Sequence, residues 1–302
     1  TPLVLLAQQL NVEQFDSIIK FYGEDIKKQK WQLEKALISI TEQSQIKITN
    51  DAHIRMIIKI LDMNIIDPNF RIVDDTLLTY SCKINAIEFV ESLLKYDSID
   101  VNMCESENGD TPLIVALNKC YLEIVKLLLN HPKTDVNKKN YIGKSALVYA
   151  SQLELKEIIQ PLLNNAKFDP IESNINLAFY YSNFEILEMF LSFESLDVNY
   201  TPLDENLDPE YYSITEVDSI IRNKLIESIV KKEITSFDLL INHHSFDKSE
   251  SQIRNVLYIS LLENEYEIFE KVLSMYDDID INSHIYNGNS LLIEAVIGHK
   301  KE

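Results

Sequence analysis

A short phrase that returns at a nearly constant interval constrains the fold of this chain more than any other feature. In its clearest copy, the aliphatic pair Leu128-Leu129 is followed by Asp135-Val136-Asn137. The aspartates that anchor the full and degenerate copies are Asp67, Asp100, Asp135, Asp169, Asp197, Asp247 and Asp280. Their successive spacings are 33, 35, 34, 28, 50 and 33 residues. This interval predicts an array of small repeated units, of which one is shortened and one carries an insertion.

The residues within one copy predict two short helices joined by turns. Gly109 tolerates the positive φ of a tight turn, and Thr111 is a suitable helix N-cap. Pro112 then falls at the first helical position, where its missing amide hydrogen is not needed. A second helix carries an apolar stripe between Ile124 and Leu129. Such a pair is too small to bury its own stripe, so we expect neighbouring pairs to cover one another.

These segments resemble the ankyrin repeat family, whose consensus runs G-x-T-P-L-H-x-A-A and then E-I-V-x-L-L-L. Residues Gly109–Ala116 read GDTPLIVA, residues Glu123–Leu129 read EIVKLLL, and Gly143–Ala150 repeat the first phrase as GKSALVYA. The resemblance implies an all-α fold, an ankyrin-repeat solenoid of about eight to nine helix-turn-helix units, some of them irregular. Two departures concern the first helix: Cys120 and Glu154 stand where the family usually has glycine to close it.

We interpret residues 1–302 as a single ankyrin-repeat domain. Its approximate units are 1–22, 23–69, 70–102, 103–137, 138–171, 172–199, 200–249 with an inserted loop at about 200–215, 250–282 and the partial unit 283–302. The chain begins and ends within a unit, whereas repeat arrays carry capping units at their ends. We therefore expect a fragment of a longer protein.

The composition limits the classes of partner. The formal net charge is −20, which repels nucleic-acid phosphates and anionic lipid and favours a protein partner with a basic surface. Alternatively, the acidity serves only to keep a long helical stack in solution. Three cysteines without a C-x-x-C spacing predict a reducing, cytoplasmic location. Since no apolar run approaches the length of a membrane helix, we expect no membrane insertion. The sequence leaves the oligomeric state open.

The sequence contains no recognisable catalytic or cofactor motif. The glycine-rich phosphate loops and the G-x-S-x-G nucleophile phrase are absent, so we expect no cofactor and no catalytic residue. His131 and His243 fall at predicted helix ends, where a cation would complement the terminal carbonyls. Neither these histidines nor the neighbouring His244 have the partners of a zinc set, so we expect no metal site.

In the ankyrin family, partners usually contact the concave side, which is formed by hairpin tips and by the exposed face of the first helices. Carried over by register, that face comprises Glu107, Asn108, Asp110, Asn118, Lys119, Lys139, Tyr141, Ile142, Lys144, Gln152, Leu153, Tyr180 and Tyr181. Tyrosine is a favoured binding anchor because it buries a large area with few rotatable bonds. An equally good alternative for the last two tyrosines is packing within the shortened unit.

The asparagines of the recurring phrase have two interpretations. The resemblance implies that Asn102, Asn137 and Asn199 are possible substrates of an asparaginyl hydroxylase, because each follows a leucine (Leu94, Leu129 or Leu191) in a Leu-x5-Asp-Val-Asn setting. The simpler interpretation, which we favour, is that aspartate and asparagine make local turn bonds to backbone amides.

Three functions are compatible with these observations. The resemblance favours a non-catalytic scaffold that binds a protein on its concave face. The alternative is the ankyrin portion of a larger effector, enzyme or channel whose activity lies outside this segment. A third is an enzyme built on the irregular segment 200–247, for which the sequence offers no candidate acid or base.

Overall fold

The computed structural model describes residues 4–5, 12–44, 51–200, 224–276, 279–280, 290 and 293. The chain forms two compact units. The first consists of Thr1–Tyr149 with Pro161–Asp169, and the second of Ala150–Gln160 with Pro170–Glu302. The inserted loop expected at about 200–215 and the partial unit 283–302 fall almost entirely outside the described residues.

The described residues are predominantly α-helical, as the sequence predicts. The elements that begin in the first unit are α1 Val12–Tyr22, a 3-10 helix Gly23–Gln29, α2 Lys30–Ser44, α3 Asp51–Asp62, the hairpin β1 Arg71–Ile72 and β2 Asp75–Thr76, α4 Leu77–Lys83, α5 Ile87–Leu93, α6 Pro112–Asn118, α7 Leu122–Asn130 and α8 Ala146–Gln152. They are followed by α9 Lys156–Leu163, α10 Ile175–Tyr181, a 3-10 turn Phe184–Ile186, α11 Leu187–Leu191, α12 Lys224–Val230, α13 Ile234–Ile241, α14 Glu250–Leu262 and α15 Tyr266–Met275.

The first helices begin where the capping residues predict. The hydroxyl of Thr111 accepts the backbone amide of Ile114 at 3.2 Å, and Pro112 is the first residue of α6. At the start of α4, Thr76 and Thr79 form a reciprocal capping box in which each side chain accepts the other residue's amide. These bonds satisfy amides that have no partner within the helix.

Successive helix pairs bury their apolar stripes against one another. In the first unit, α3 packs against α5, α4 against α6, and α5 against α7; in the second unit, α12 packs against α14. On α7, the side chains of Ile124, Val125 and Leu128 are fully buried. Burial of each such side chain contributes about 1.5–3 kcal/mol. The predicted all-α repeat architecture is confirmed.

In five repeats, a residue in the left-handed conformation follows the end of the first helix. These residues are Asn85, Cys120, Glu154, Lys232 and Asn264, with φ between 56° and 61°. After Cys120, the amide of Tyr121 donates to the carbonyl of Ala116 at 3.0 Å, which is the bond of a Schellman helix ending. Cys120 and Glu154 therefore do occupy positions that favour glycine, and each pays a conformational penalty there.

We predict that Cys120→Gly stabilises the protein. Its exposed thiol makes no packing contribution, and a left-handed residue other than glycine costs about 1–2 kcal/mol, partly offset by the higher unfolded-state entropy of glycine. The free energy of unfolding in urea should rise by about 0.5–1 kcal/mol. Asn85→Gly is the matched control, with a gain of less than about 0.5 kcal/mol because asparagine tolerates this conformation. Equal effects of the two changes would contradict the explanation.

Candidate protein-binding surface

Three adjacent hairpin tips in the first unit are joined by backbone hydrogen bonds. The first tip is closed by the β1–β2 pair, the second by the amide of Glu105 donating to the carbonyl of Asp110 at 3.0 Å. Between tips, the amide of Ser106 donates to the carbonyl of Asp74 at 2.8 Å, and that of Tyr141 to the carbonyl of Asn108 at 2.9 Å. We call residues 73–74, 106–108 and 141–142 the tip row. These bonds hold its members in a fixed order.

Beneath the middle tip, the buried carboxylate of Glu105 shapes the loop. It accepts the amides of Glu107, Asn108 and Asp110 at 3.2, 2.5 and 3.3 Å, and the ammonium of Lys83 lies 3.6 Å away. Burial alone would raise the pKa of Glu105, but these three amides and the Lys83 charge together lower it. The charged carboxylate thus fixes the tip and is not available to a partner.

Two predicted binding residues present large apolar surfaces on the third tip. The side chain of Tyr141 is 73% exposed and that of Ile142 is 57% exposed. The tyrosine ring lies directly on Gly109, where an added Cβ would be only 2.6 Å from Cδ1 of the ring. Gly109, with a φ of 71°, therefore serves both the turn and the placement of the ring. The aromatic side chain is held in place while one face remains open to solvent.

The structure adds Val73, which the sequence analysis missed. Val73 is the first of two residues in the turn between β1 and β2, has a φ of 54° and is 72% exposed. A β-branched residue in the left-handed region is strained, and this position of a hairpin normally takes glycine or asparagine. No glycine marks the turn in the sequence, so only the alignment of this segment with Gly109 could have indicated it. An exposed, strained valine is unfavourable for folding alone, which makes it a candidate contact.

The other predicted positions divide by exposure. Glu107, Asn108, Asn118, Lys119, Lys139 and Leu153 are exposed, and Gln152 is half-buried. Four are buried, which excludes direct contact with a partner: Asp110, Lys144, Tyr180 and Tyr181.

Each buried candidate has an internal role. Asp110 accepts a hydrogen bond from the amide side chain of Asn140 at 2.8 Å, and Lys144 lies over the ring of Tyr149. Tyr180 and Tyr181 pack edge-to-face within α10, with ring centroids 5.5 Å apart. Both rings are buried, in agreement with the packing alternative for the two tyrosines.

The asparagines of the recurring phrase form a ladder between repeats. Asn102 donates from Nδ2 to the carbonyl of Lys133 and accepts the amide of Asp135 at Oδ1, both at 2.8 Å. Its own amide donates to the carboxylate of Asp100 at 2.9 Å. Asn69, Asn137 and Asn199 make the same three kinds of bond. The predicted local turn bonds are confirmed, and the asparagine side chains also tie each repeat to the next.

The turn histidines are not the helix-end cations that the sequence analysis expected. His131 and His243 each accept the amide of the residue two positions later at Nδ1, at 3.3 Å in both cases. Burial, followed by the charges of Lys133 and Lys167, lowers the pKa of His131. An acceptor nitrogen requires the neutral imidazole, so the expectation of a stabilising positive charge is wrong at both positions.

The described residues show no further chemistry of the kinds considered. No group of three or more histidine, cysteine, aspartate or glutamate side chains is placed to hold a metal ion within the described ranges. Across those ranges no helix is both long and apolar enough to cross a membrane. Cys82, Cys104 and Cys120 are unpaired thiols.

Comparison with known proteins identifies the repeats. Residues 45–140 match a family model described as ankyrin repeats in three copies. This part of the chain carries ankyrin repeats. A segment of 150 residues is 29% identical to the Inhibitor of Apoptosis OPG037 of Monkeypox virus, and the match covers 46% of this chain and 33% of that protein. This chain thus matches about a third of the length of that relative.

Solved ankyrin repeat structures also resemble the chain. The ankyrin repeat protein EF0377 is 21% identical, with a TM-score of 0.49 over 63% of this chain and 96% of its own. The ankyrin repeat domain of Bcl-3, a member of the IkappaB protein family, is 19% identical, with a TM-score of 0.44 over 63% of this chain and 97% of its own. The assignment of ankyrin repeats to residues 45–140 rests on the sequence match.

We predict that Asn102→Ala lowers the free energy of unfolding by about 1–3 kcal/mol, because two hydrogen bonds between repeats are lost. Urea unfolding of the purified chain measures this. Asn118→Ala, which removes an exposed amide from α6, is the control and should change stability by less than about 0.5 kcal/mol. If the two variants were equally stable, the ladder would contribute nothing to the stacking of the repeats.

Proposed function

We propose that this ankyrin repeat protein is a non-catalytic scaffold and that the tip row of its first unit binds a partner protein. Ankyrin repeats are generally protein-interaction modules. The observation that supports this surface is the exposure of Val73 on the first tip and of Tyr141 and Ile142 on the third. The middle tip is hydrogen-bonded to both of these tips. Exposed first-helix residues, among them Asn118 and Lys119, extend the surface.

The energetics favour these side chains as anchors. Full burial of a large apolar side chain contributes about 1.5–3 kcal/mol, and Tyr141 is already positioned on Gly109, so little conformational entropy is lost on binding. Val73 already bears the cost of its left-handed backbone in the free protein. Retaining a strained apolar residue at an exposed tip is understandable if a partner covers it.

The charge of the surface supports a partner with a basic face. Asp74 and Glu107 are exposed within the tip row, between the apolar residues at its two ends. Arg71, the nearest arginine, is occupied, since its guanidinium donates to the carbonyl of Cys104 at 2.7 Å and to the hydroxyl of Ser106 at 2.9 Å. With a net charge of −20, the chain would attract a basic protein and repel nucleic acid. The three unpaired thiols support a reducing, cytoplasmic location.

The second candidate function is the ankyrin portion of a larger protein with an activity elsewhere. It is favoured by the match to a relative of which only 33% is covered. By analogy, inhibition of apoptosis is one activity that a longer protein could carry. The length of the parent open reading frame distinguishes this candidate from a self-contained scaffold.

We predict opposite effects of Val73→Asn on folding and binding. Asparagine relieves the left-handed strain, so the urea midpoint should rise. Loss of the exposed isopropyl group should lower the affinity for the partner at least about fivefold, or by about 1 kcal/mol. Tyr141→Ala should lower the affinity for the partner to a similar extent and leave the helical content unchanged. The partner is first isolated with the tagged wild-type chain from the cells that express it, and its dissociation constants are then measured by calorimetry.

Ile171→Ala is the matched control, because this isoleucine is 76% exposed but lies outside the tip row. A basic partner should also dissociate more readily as the salt concentration rises. Unchanged affinity in both tip variants would place the binding site elsewhere, and affinity that is independent of salt would exclude the basic surface.

For the asparagines, we propose a structural role without modification. Both polar atoms of the Asn102 side chain are occupied by Lys133 and Asp135, and the side chains of Asn137 and Asn199 are bonded in the same way. Mass spectrometry of the native protein is expected to show unmodified peptides at these three positions. An added oxygen atom on any of them would establish hydroxylation instead.

A further inference from the structure

In three of the turns that follow a second helix, a side chain adds a hydrogen bond to the one that the backbone makes across the turn. Counted from the anchoring aspartates Asp135, Asp169 and Asp247, the position of this side chain lies four residues earlier and is occupied by His131, Asn165 and His243. In all three turns the side chain accepts the amide of the residue two positions later. The acceptors are Oδ1 of Asn165 at 3.0 Å and Nδ1 of each histidine at 3.3 Å. The Nδ1 atoms of the two imidazoles thus accept the same hydrogen bond that the Asn165 side-chain oxygen accepts.

The difference between the residue types is chemical. An asparagine oxygen accepts at every pH, whereas an imidazole nitrogen accepts only while it carries no proton. Once protonated, Nδ1 becomes a donor and faces the amide hydrogen that it had bound. The same turn geometry is therefore independent of pH at Asn165 and dependent on pH at His131 and His243.

The surroundings of His243 fix its neutral tautomer. Nε2 lies 3.2 Å from the carbonyl of Leu191, which can only accept, so Nε2 carries the hydrogen. Nδ1 lies 2.9 Å from the hydroxyl of Ser245, and that oxygen also accepts the amide of Val198 at 3.2 Å. The Ser245 hydroxyl therefore donates to Nδ1. Protonation would set the new Nδ1 hydrogen against the amide hydrogen of Ser245 and would require the Ser245 hydroxyl to turn from donor to acceptor.

The charged groups near the two imidazoles oppose or do not compensate a positive charge. The His244 ring lies 4.2 Å from that of His243 between centroids, and the groove that they share is lined by Leu191 on the α11 side and by Asp238 on α13. The Asp238 carboxylate is already paired with Lys271 of α15 at 2.5 Å. Burial and the His244 charge lower the pKa of His243 and outweigh the raising effect of the Leu191 carbonyl. Near His131 the charges are those of Lys133 and Lys167.

Each of these turns is also a rung of the asparagine ladder. The carbonyl of Lys133 accepts from Asn102, and the carbonyl of Ser245 accepts from Asn199 at 2.6 Å. The amide of Asp247 donates to Oδ1 of Asn199 at 3.1 Å. A turn that opens thus removes the hydrogen-bonding partners of the preceding repeat.

We propose that His131 and His243 are acid-sensitive latches: a proton on either imidazole opens its turn and loosens the joint with the preceding repeat. The direction of the effect follows from the lowered pKa of both groups. The native protein binds fewer protons than the unfolded chain, so stability is full above the ordinary histidine pKa of about 6.5 and falls below it. Each latch can raise the unfolding constant by at most about tenfold per pH unit.

The test compares the wild-type chain with the double variant His131→Asn/His243→Asn, which installs the residue found in the equivalent turn at Asn165. Urea unfolding at pH 7.5, 6.5 and 5.5 should show a greater loss of stability for the wild type than for the variant. Hydrogen exchange, corrected for intrinsic rates, should accelerate at pH 5.5 in peptides spanning 128–137 and 240–249 of the wild type only. Asn165→His is the converse control and should gain a dependence on pH at its own turn.

Nitrogen NMR of the wild-type histidine rings provides a readout that needs no variant to fold. The expected result is a hydrogen on Nε2 of His243 and titration of both rings below the ordinary histidine range. Titration at or above about pH 6.5, or an Nδ1 hydrogen on His243, would overturn the proposal. It would equally be overturned if the double variant and the wild type lost the same stability on acidification.

Discussion

The structure depends on the covering of one aliphatic stripe by the next pair of helices. The helix α7 packs against α6 of its own repeat and against α5 of the preceding repeat, and its side chains Ile124, Val125 and Leu128 are fully buried. Stability in such an array is approximately a sum of terms between neighbours, because each repeat contacts only those beside it. The requirement also explains why the helices are short: seven residues are sufficient for α4, α5 and α6 when the apolar face is completed by a neighbour.

Hydrophobic burial is non-directional, and the asparagine ladder supplies the direction. The side chain of Asn102 bonds one carbonyl and one amide in the next turn, which fixes both the spacing and the angle at which the turns meet. Because the bonded groups belong to the backbone, the ladder places no demand on side chains elsewhere in the turn. The residue four positions before the anchoring aspartate is therefore free to differ between repeats. It is asparagine before Asp169 and histidine before Asp135 and Asp247.

The sequence predicts those features that are determined within one repeat. The period, the Thr111 cap, the local Asp–Asn turn bonds and the unfavourable position of Cys120 all follow from residues close together in the chain. Features that depend on neighbouring repeats are not accessible in this way. The burial of Tyr180 and Tyr181 becomes visible only in the folded chain, and the acceptor role of a histidine only with the geometry of its turn.

The candidate surface was predicted in part for the same reason. Tyr141 and Ile142 have no place in the core of their own repeat, so their exposure could be inferred. The glycine that stands two residues before Thr111 and Ser145 is replaced by Asp74 before Thr76, so no glycine marks the tip at Val73. The residues at the tips bear on function, because stability arises between neighbouring repeats and the outermost atoms of a tip do not contribute to it. Selection for stability alone would replace a left-handed valine with glycine or asparagine, because either residue removes the strain without disturbing β1 or β2. A requirement on the surface of the tip row, as proposed above, would account for the valine, and the exposed Asp74 and Glu107 beside it give that surface a negative charge.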